Sequence, residues 1–121
     1  LSGPLDFVQR VQGSRSGESA GPYCWEAIFE NPDAIKGTDA DLFALAEKRM
    51  AEGRVMPRLY QTIGIEDFHY ERNQTARKRM AQLGLAPTYA EHPGGHNWEY
   101  WNAHIPDVLT WLPLTESSIS E

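Results

Sequence analysis

Two short strand patterns, each followed by a helical pattern, constrain the fold of this chain more than any other feature. Residues 57–64 read as a strand of mixed burial, and an amphipathic helix pattern follows over 70–83. A second short strand pattern covers 87–91, and apolar residues recur at helical spacing from 98 to 112. Pro106, inside this last pattern, predicts a kink or a restart of the helix. Because strand, helix, strand, helix is the order of a parallel βαβα unit, the predicted fold class is α/β.

Two other zones precede this unit. Residues 1–37 carry glycines, prolines and serines between short apolar pieces, which predicts an irregular, cap-like region of loops. Thr38 suits a helix N-cap, and the apolar residues after it recur at helical spacing until Gly53 ends the pattern. We therefore expect 1–121 to belong to a single domain in which 38–121 forms an α-β-α-β-α segment.

The predicted sheet is too small to be complete. Parallel strands are normally buried on both faces within a larger sheet, and two strands do not supply one. We expect the further strands to come from a missing N-terminal segment, from a separate chain, or from a second copy in a homo-oligomer. The chain begins with neither an initiator methionine nor a signal pattern, so its start is expected to lie in mid-domain.

Composition narrows the class of partner. The formal net charge of −6 argues against nucleic acid, which needs a basic surface, and favours small neutral or apolar molecules. No apolar run approaches the roughly 20 residues that span a bilayer, so no membrane partner is expected. The single cysteine, Cys24, excludes an intrachain disulfide and requires no oxidising compartment. We therefore expect a cytoplasmic protein.

An aspartate and a histidine follow the two predicted strands. Asp67 comes directly after the first strand, and His96 follows the second on a turn that begins at Pro93. Because the carboxyl ends of neighbouring parallel strands meet at one edge of a sheet, we expect the two side chains to lie close together. Acid followed by histidine is the second half of a Ser-His-Asp triad, in which the acid orients the imidazole and the histidine transfers protons. The alternative is that Asp67 caps the next helix and that His96 is a surface residue.

The surrounding motifs resemble those of one family. G-x-x-D-F at 64–68 and G-G-H-x-W-x-x-W at 94–101 are similar to the acid and histidine signatures of an esterase family of α/β-hydrolases. This family includes tributyrin, feruloyl and acetyl-xylan esterases and S-formylglutathione hydrolases. Segments 25–29 and 108–114 also resemble their family counterparts. The resemblance implies a C-terminal part of a serine esterase that needs no cofactor and cleaves short-chain or aromatic acyl esters through an acyl-enzyme.

The sequence does not contain a well-formed nucleophile elbow. Residues 17–21 match G-x-S-x-G around Ser19, but no apolar strand precedes them and no clear helix follows. They also lie within 12–21, a segment small and polar enough for disorder. Cys24 has aromatic neighbours on both sides, which predicts a packed and inert thiol. The resemblance implies that the serine and the oxyanion loop lie in an N-terminal half of the enzyme, upstream of this chain.

Aromatic and histidine side chains complete the set of candidates. An irregular zone shapes the substrate pocket in the family that the chain resembles, and the aromatic residues there are candidates for substrate binding. With the tryptophan that follows the histidine motif, these candidates are Tyr23, Trp25, Phe29 and Trp98. His92 and His96 are four residues apart, but the Pro-Gly-Gly between them prevents a helix from aligning them on an ion, so no metal site is predicted.

These patterns support two hypotheses of different class. The first is a serine carboxylic-ester hydrolase in which Asp67 and His96 act on a small-molecule ester together with a serine from outside this chain, so that the isolated chain is inactive. The second is a non-catalytic fragment or binding module that oligomerisation or a partner stabilises. A third option, a self-sufficient hydrolase, requires Ser19 as its nucleophile.

Overall fold

The computed structural model describes residues 5–15 and 25–114. Within them, helices and strands follow one another in the order expected of an α/β fold. Among the described residues no helix combines the length and the apolar character that crossing a membrane requires. The elements are α1 (Phe7–Arg15), α2 (Trp25–Ile28), a 3-10 turn (Pro32–Ala34), α3 (Leu42–Ala51), β1 (Tyr60–Gly64), α4 (Tyr70–Gln82), β2 (Thr88–His92) and α5 (Trp98–Trp111).

Strands β1 and β2 pair in parallel, with Tyr60 opposite Thr88 and Gly64 opposite His92. The predicted α/β class and the βαβα order are therefore confirmed. Successive side chains of a strand point to opposite faces, and the polar residues of β1 reach a helix on each. Gln61 Nε2 donates to Asn73 Oδ1 of α4 at 2.9 Å, and Thr62 Oγ1 lies 2.7 Å from Tyr100 OH of α5. The two helices therefore lie on opposite faces of the sheet.

The two strands differ in burial. Four of the five β1 residues are buried, and the side chains of Thr62 and Ile63 are wholly inaccessible to solvent. Strand β2 has no buried residue and exposes Thr88 and Glu91. Strand β1 is therefore the more central of the two described strands, as in a parallel sheet covered on both faces.

The region predicted to be irregular contains a helix. Helix α1 covers Phe7–Arg15, and Asp6 Oδ1 accepts from the Gln9 backbone N–H at 2.9 Å at its N-terminus. Its Val11 is completely buried and packs with Trp25 and Ile35. The sequence does not predict this helix, because Gly13 and the polar residues around it have a weak helix propensity. Burial of Val11 in the folded chain outweighs that weak propensity.

Two further details differ from the sequence expectations. Thr38 does not cap α3: its hydroxyl donates to the Ile35 carbonyl at 2.6 Å, and Asp41 takes the N-cap position, accepting from Ala44 N at 3.2 Å. Aspartate and threonine are both good N-caps. Because Thr38 bonds back to Ile35, the helix begins three residues later, after Asp41. Helix α5 continues through Pro106 to Trp111 instead of restarting there.

A second group of buried residues lies between α3 and α4. Phe43, Ala76 and Met80 pack together, with partly buried leucines around them. Beside this group lies an apolar cleft of about 600 Å³, whose walls include Leu42, Leu45, Val55, Met56 and Leu59. Val55 is 98% exposed, so this side of the domain presents apolar surface to its surroundings.

Candidate active site

The side chains of Asp67 and His96 form a direct pair. His96 Nδ1 lies 3.0 Å from Asp67 Oδ2 across the ends of the two strands, 29 residues apart in the chain. The Asp67 side chain is completely buried, whereas that of His96 is 29% exposed. The arrangement therefore places a carboxylate beneath a histidine whose ring remains accessible from solvent.

A tight turn after β1 holds Asp67. Its backbone N–H donates to the Gly64 carbonyl at 3.1 Å, and its own carbonyl accepts from Tyr70 N at 2.8 Å. Asp67 Oδ1 accepts from the backbone N–H of His69 at 2.8 Å. Both carboxylate oxygens are thus engaged, one with the turn that leads into α4 and one with His96. Asp67 does not cap α4, because the N-cap of that helix is His69 and no side chain makes a capping hydrogen bond there. Its Oδ1 instead holds the turn that precedes the helix.

The loop that carries His96 is attached directly to the end of β1. Ile65 N donates to the His92 carbonyl at 2.9 Å, and Glu66 N donates to the Gly94 carbonyl at 3.1 Å. Gly94 N in turn donates to the Glu66 carboxylate. Gly94 has a φ of +133°, a backbone conformation that favours glycine. These reciprocal bonds fix the loop and with it the position of the histidine.

Helix α5 begins immediately after His96. Asn97 is its N-cap, and its side chain accepts from Tyr100 N at 2.9 Å. Tyr100 is itself only 3% exposed, and its hydroxyl shares a hydrogen bond with the hydroxyl of Thr62 in β1. The histidine is therefore held between a strand-anchored loop and a capped helix, which is the rigid support that proton-transfer geometry requires.

The pairing with Asp67 defines the tautomer of His96. An ionised carboxylate only accepts hydrogen bonds, so Nδ1 of His96 carries the proton that it donates to Asp67. In the neutral ring Nε2 is then the unprotonated nitrogen with a free lone pair. Such a nitrogen can take a proton from a hydroxyl and return it later, while the buried carboxylate stabilises the imidazolium.

Aromatic rings surround the imidazole of His96. Trp101 meets it edge-on with centroids 5.0 Å apart, His69 meets it edge-on at 5.3 Å, and Phe68 lies tilted at 4.7 Å. Phe68 is 73% exposed, as is Trp98, which packs edge-on against Trp101 at 5.1 Å. An exposed aromatic rim therefore lies next to the histidine, which suits an apolar ligand more than a charged one.

His69 is a second, buried histidine beside this pair. It is 5% exposed, and its Nδ1 is buried without a hydrogen-bond partner among the described residues. Burial lowers the pKa of His69 below its ordinary value, and the negative charge of Asp67 only partly offsets this effect. His69 therefore favours its neutral form, which avoids placing two positive charges next to each other when His96 is protonated.

The other residues that the sequence singles out lie elsewhere or outside the described part. Trp25 is buried against Phe7 and Phe29, in the group around Val11. The remaining candidates, Ser19, Tyr23 and Cys24, fall outside the described residues.

Sequence reasoning did not identify the neighbours of the pair. No motif in the sequence marks His69 or Trp101 as a neighbour of His96. Glu66, next to the acid in sequence, carries no local signal for its bond to the Gly94 N–H.

Similarity to known proteins extends over most of the chain. The acetyl esterase of Caldicellulosiruptor saccharolyticus is 28% identical over 88 residues, which is 73% of this chain and 33% of that protein. The S-formylglutathione hydrolase FrmB of Staphylococcus aureus superimposes with a TM-score of 0.65 and 31% identity, over 71% of this chain and 34% of that one. The serine hydrolase FphF of the same organism gives a TM-score of 0.72 and 25% identity, over 91% and 49% of the two chains.

No profile of a known protein family matches the sequence. The chain spans between about a third and a half of the length of the three relatives. Those relatives are esterases and serine hydrolases, and the two solved structures share the α/β fold found here. The expected resemblance is therefore confirmed: this chain is similar to part of esterases and serine hydrolases of the α/β-hydrolase type.

Proposed function

We propose that this chain supplies the acid and the histidine of a Ser-His-Asp triad in a serine carboxylic-ester hydrolase. The observation that carries the proposal is the 3.0 Å contact between His96 Nδ1 and the wholly buried carboxylate of Asp67. A surface histidine with a chance acid partner would not place that acid out of contact with solvent, because burying a charge is costly unless it is paired. The similarity to an acetyl esterase and to serine hydrolases supports the same conclusion.

The reaction follows from the tautomer. Nε2 of His96 takes the proton of a serine hydroxyl as the serine oxygen bonds to the ester carbonyl carbon, and Asp67 stabilises the imidazolium. Collapse of the tetrahedral intermediate breaks the bond to the alcohol, which leaves with the proton from Nε2. Water then repeats the sequence on the acyl-enzyme and releases the acid, so that the histidine returns to its starting state.

The serine, in this proposal, comes from a segment that precedes residue 1 in the complete protein. No serine and no cysteine occurs between 25 and 114, the stretch that forms the site. Ser19, the one serine within a G-x-S-x-G match, lacks the strand and helix of a nucleophile elbow in its sequence context. The isolated chain is accordingly expected to be inactive, and its partner is the N-terminal half of the same enzyme.

The apolar cleft beside α3 supports the need for such a partner. Its walls combine buried Phe43 with apolar residues that are exposed in the chain by itself, such as Leu42 and Val55. A surface of this kind is typical of a site where another segment packs. A second copy of the chain in a homo-oligomer would also cover it.

We propose short-chain or aromatic acyl esters as substrates. One relative is named an acetyl esterase, and another acts as an S-formylglutathione hydrolase, so both names specify small acyl groups. The exposed rings of Phe68 and Trp98 near His96 favour an apolar acyl or alcohol group. Tyr23 remains a candidate for the same pocket, whereas Trp25 and Phe29 pack in the group around Val11. We propose that no cofactor takes part.

Labelling with a fluorophosphonate probe tests the proposal. Such probes react only with an activated serine, so the complete protein should be labelled at a serine upstream of this chain and the isolated chain should not. Substitution His96→Gln should abolish labelling of the complete protein, whereas Ser19→Ala should leave it intact. Labelling of the isolated chain that is lost with Ser19→Ala would instead establish the self-sufficient hydrolase.

The control for this experiment is an exposed acid away from the site. Asp39 is 72% exposed at the side chain and lies 3.7 Å from Lys48. Substitution Asp39→Asn should leave both labelling and ester hydrolysis unchanged, since a surface ion pair contributes little to stability. If the complete protein is labelled equally well with and without His96, another group activates the serine and the proposed role of His96 is wrong. If the complete protein is not labelled at all, the non-catalytic module is favoured.

A further inference from the structure

Three potential metal ligands meet between the C-terminal end of β2 and helix α5. One ring nitrogen each of His92 and His104 and a carboxylate oxygen of Asp107 all lie within 4.8 Å of one another. The two imidazole rings stack face to face, with centroids 4.0 Å apart and planes inclined by 8°. His104 Nδ1 also lies 3.3 Å from Asp107 Oδ2. Among the described residues no other group of three or more histidine, cysteine, aspartate or glutamate side chains brings its ligand atoms this close together.

We propose that His92, His104 and Asp107 form a binding site for a divalent transition-metal ion, for which zinc is the reference ligand. Imidazole and carboxylate together suit zinc and its neighbours in the first transition row, and suit magnesium and calcium less. Zinc–nitrogen bonds of about 2.0–2.1 Å place two ligands of a tetrahedral site about 3.3 Å apart. The ligand atoms, now up to 4.8 Å apart, must approach by up to about 1.5 Å to reach that value. The stacked rings must also turn, so that the lone pairs in their planes converge on the ion.

The backbone supports two of these ligands firmly. His92 is the last residue of β2, and its carbonyl accepts from Ile65 N at 2.9 Å, so its Cα is fixed by the sheet. His104 lies in the middle of α5, where its ring packs on buried Tyr100 with centroids 4.6 Å apart. Ligands on a strand and a helix hold their geometry better than ligands on loops.

The third ligand leaves room for an ion to enter. Asp107 is one helical turn after His104, so that both side chains project from the same face of α5. Its side chain is 55% exposed, whereas that of His104 is 18% exposed. An ion therefore has a path from solvent, and three protein ligands leave at least one position for water.

The site is separate from the proposed catalytic pair. It uses none of the side chains of that pair, because Nδ1 of His96 is engaged with Asp67. A bound ion would join the end of β2 to α5, the two elements that flank this loop. We expect binding of the ion to stabilise the folded state, because anything that binds only the folded chain does so.

Zinc titration of the full chain tests the proposal by calorimetry and by thermal unfolding. One equivalent of zinc should bind and raise Tm, while magnesium at the same concentration should leave Tm unchanged. Each of His92→Gln, His104→Gln and Asp107→Asn should weaken zinc binding at least about tenfold, the loss that even supporting groups around a metal produce. Asp107→Asn alters an exposed side chain, so it separates loss of binding from loss of folding.

Cobalt and a histidine control identify the ligands. Cobalt bound at this site should give visible ligand-field bands without a thiolate charge-transfer band, and His96→Gln should bind zinc as tightly as the parent chain. Zinc affinity that survives Asp107→Asn and His104→Gln would overturn the proposal. So would a thiolate band from Cys24, a loss of affinity confined to His96→Gln, or no saturable binding at all.

Discussion

The carbonyl oxygen of Gly94 occupies the position where any other residue at 64 would place its side chain. A Cβ built on Gly64 would lie 1.9 Å from that oxygen and 2.5 Å from the carbonyl carbon behind it. Gly64 ends β1 and Gly94 begins the turn to His96, so the two glycines bring the acid-bearing and histidine-bearing loops into backbone contact. The contact is the structural condition for the short distance between Asp67 and His96.

Substitution Gly64→Ala should therefore displace the 93–97 loop. The clash involves backbone on both sides, so no side-chain rotation relieves it. We expect a loss of about 3 kcal/mol or more in the free energy of unfolding, at the upper end for overpacking. Urea denaturation measures the loss, and labelling of the complete protein should fall with it.

The matched control is another glycine-to-alanine change. A Cβ on Gly13 of α1 meets no atom within 4 Å. Gly13→Ala should thus stabilise the chain by about 0.5–1 kcal/mol through helix propensity. Equal effects of the two alanines would contradict the proposed role of the Gly64–Gly94 contact.

Substitution Asp67→Asn should abolish most ester hydrolysis in the complete protein. An amide at this position donates to Nδ1, which moves the imidazole proton to Nε2 and removes the base. The expected drop in kcat is on the order of ten-thousand-fold, with KM little changed. Combining Asp67→Asn with His96→Gln should cost no more than His96→Gln alone, because residues that act as a unit are not additive. Additive losses in kcat would indicate that the two side chains act separately.

Substitution Tyr100→Phe should destabilise the chain through Thr62. The Thr62 hydroxyl is completely buried and its partner is the Tyr100 hydroxyl at 2.7 Å. Removing one partner leaves a buried polar group unsatisfied, which costs about 1–3 kcal/mol. The double variant Thr62→Val with Tyr100→Phe should recover part of this loss, since it removes both polar groups. Urea denaturation of the parent chain, the two single variants and the double variant measures the coupling energy between the two hydroxyls. A double variant that loses as much free energy of unfolding as the two single variants added together would refute the coupling.

His69 should make stability depend on pH. Burial lowers the pKa of His69 in the folded chain, so below the ordinary value of 6.5 the unfolded chain binds the proton more readily. This contribution to stability is complete above pH 6.5 and is lost as the pH falls towards the folded pKa. In that window the free energy of unfolding should fall by up to about 1.4 kcal/mol per pH unit through this group.

The comparison with His69→Leu isolates this effect. The charged groups that act on His69 are Asp67, His96, Arg10 and Arg72, and the variant keeps all four. Stability measured by urea denaturation from about pH 8 to pH 5 should decline less steeply in the variant than in the parent chain. Parallel curves for the two chains would show that His69 does not titrate between the folded and unfolded states.

The sequence predicted the elements of this fold well wherever the signal was local. Helix α4 was expected over 70–83 and covers Tyr70–Gln82, and β2 was expected over 87–91 and covers Thr88–His92. Hydrophobic spacing and helix-ending glycines act over a few residues, so they can be read without knowledge of the neighbours. Helix α1 was not predicted, because its stability comes from the contacts of Val11 with Trp25 and Ile35, which are distant in sequence.

The sequence by itself determined the α/β order of elements and the placement of Asp67 and His96 after successive strands. The tertiary structure decided which groups meet there: Gly64 with Gly94, Thr62 with Tyr100, and His92 with His104. These pairs are separated by 12 to 38 residues, and their contacts depend on strand register and on how α5 packs across the sheet. Register and packing arise from the whole core at once, so no local pattern encodes them.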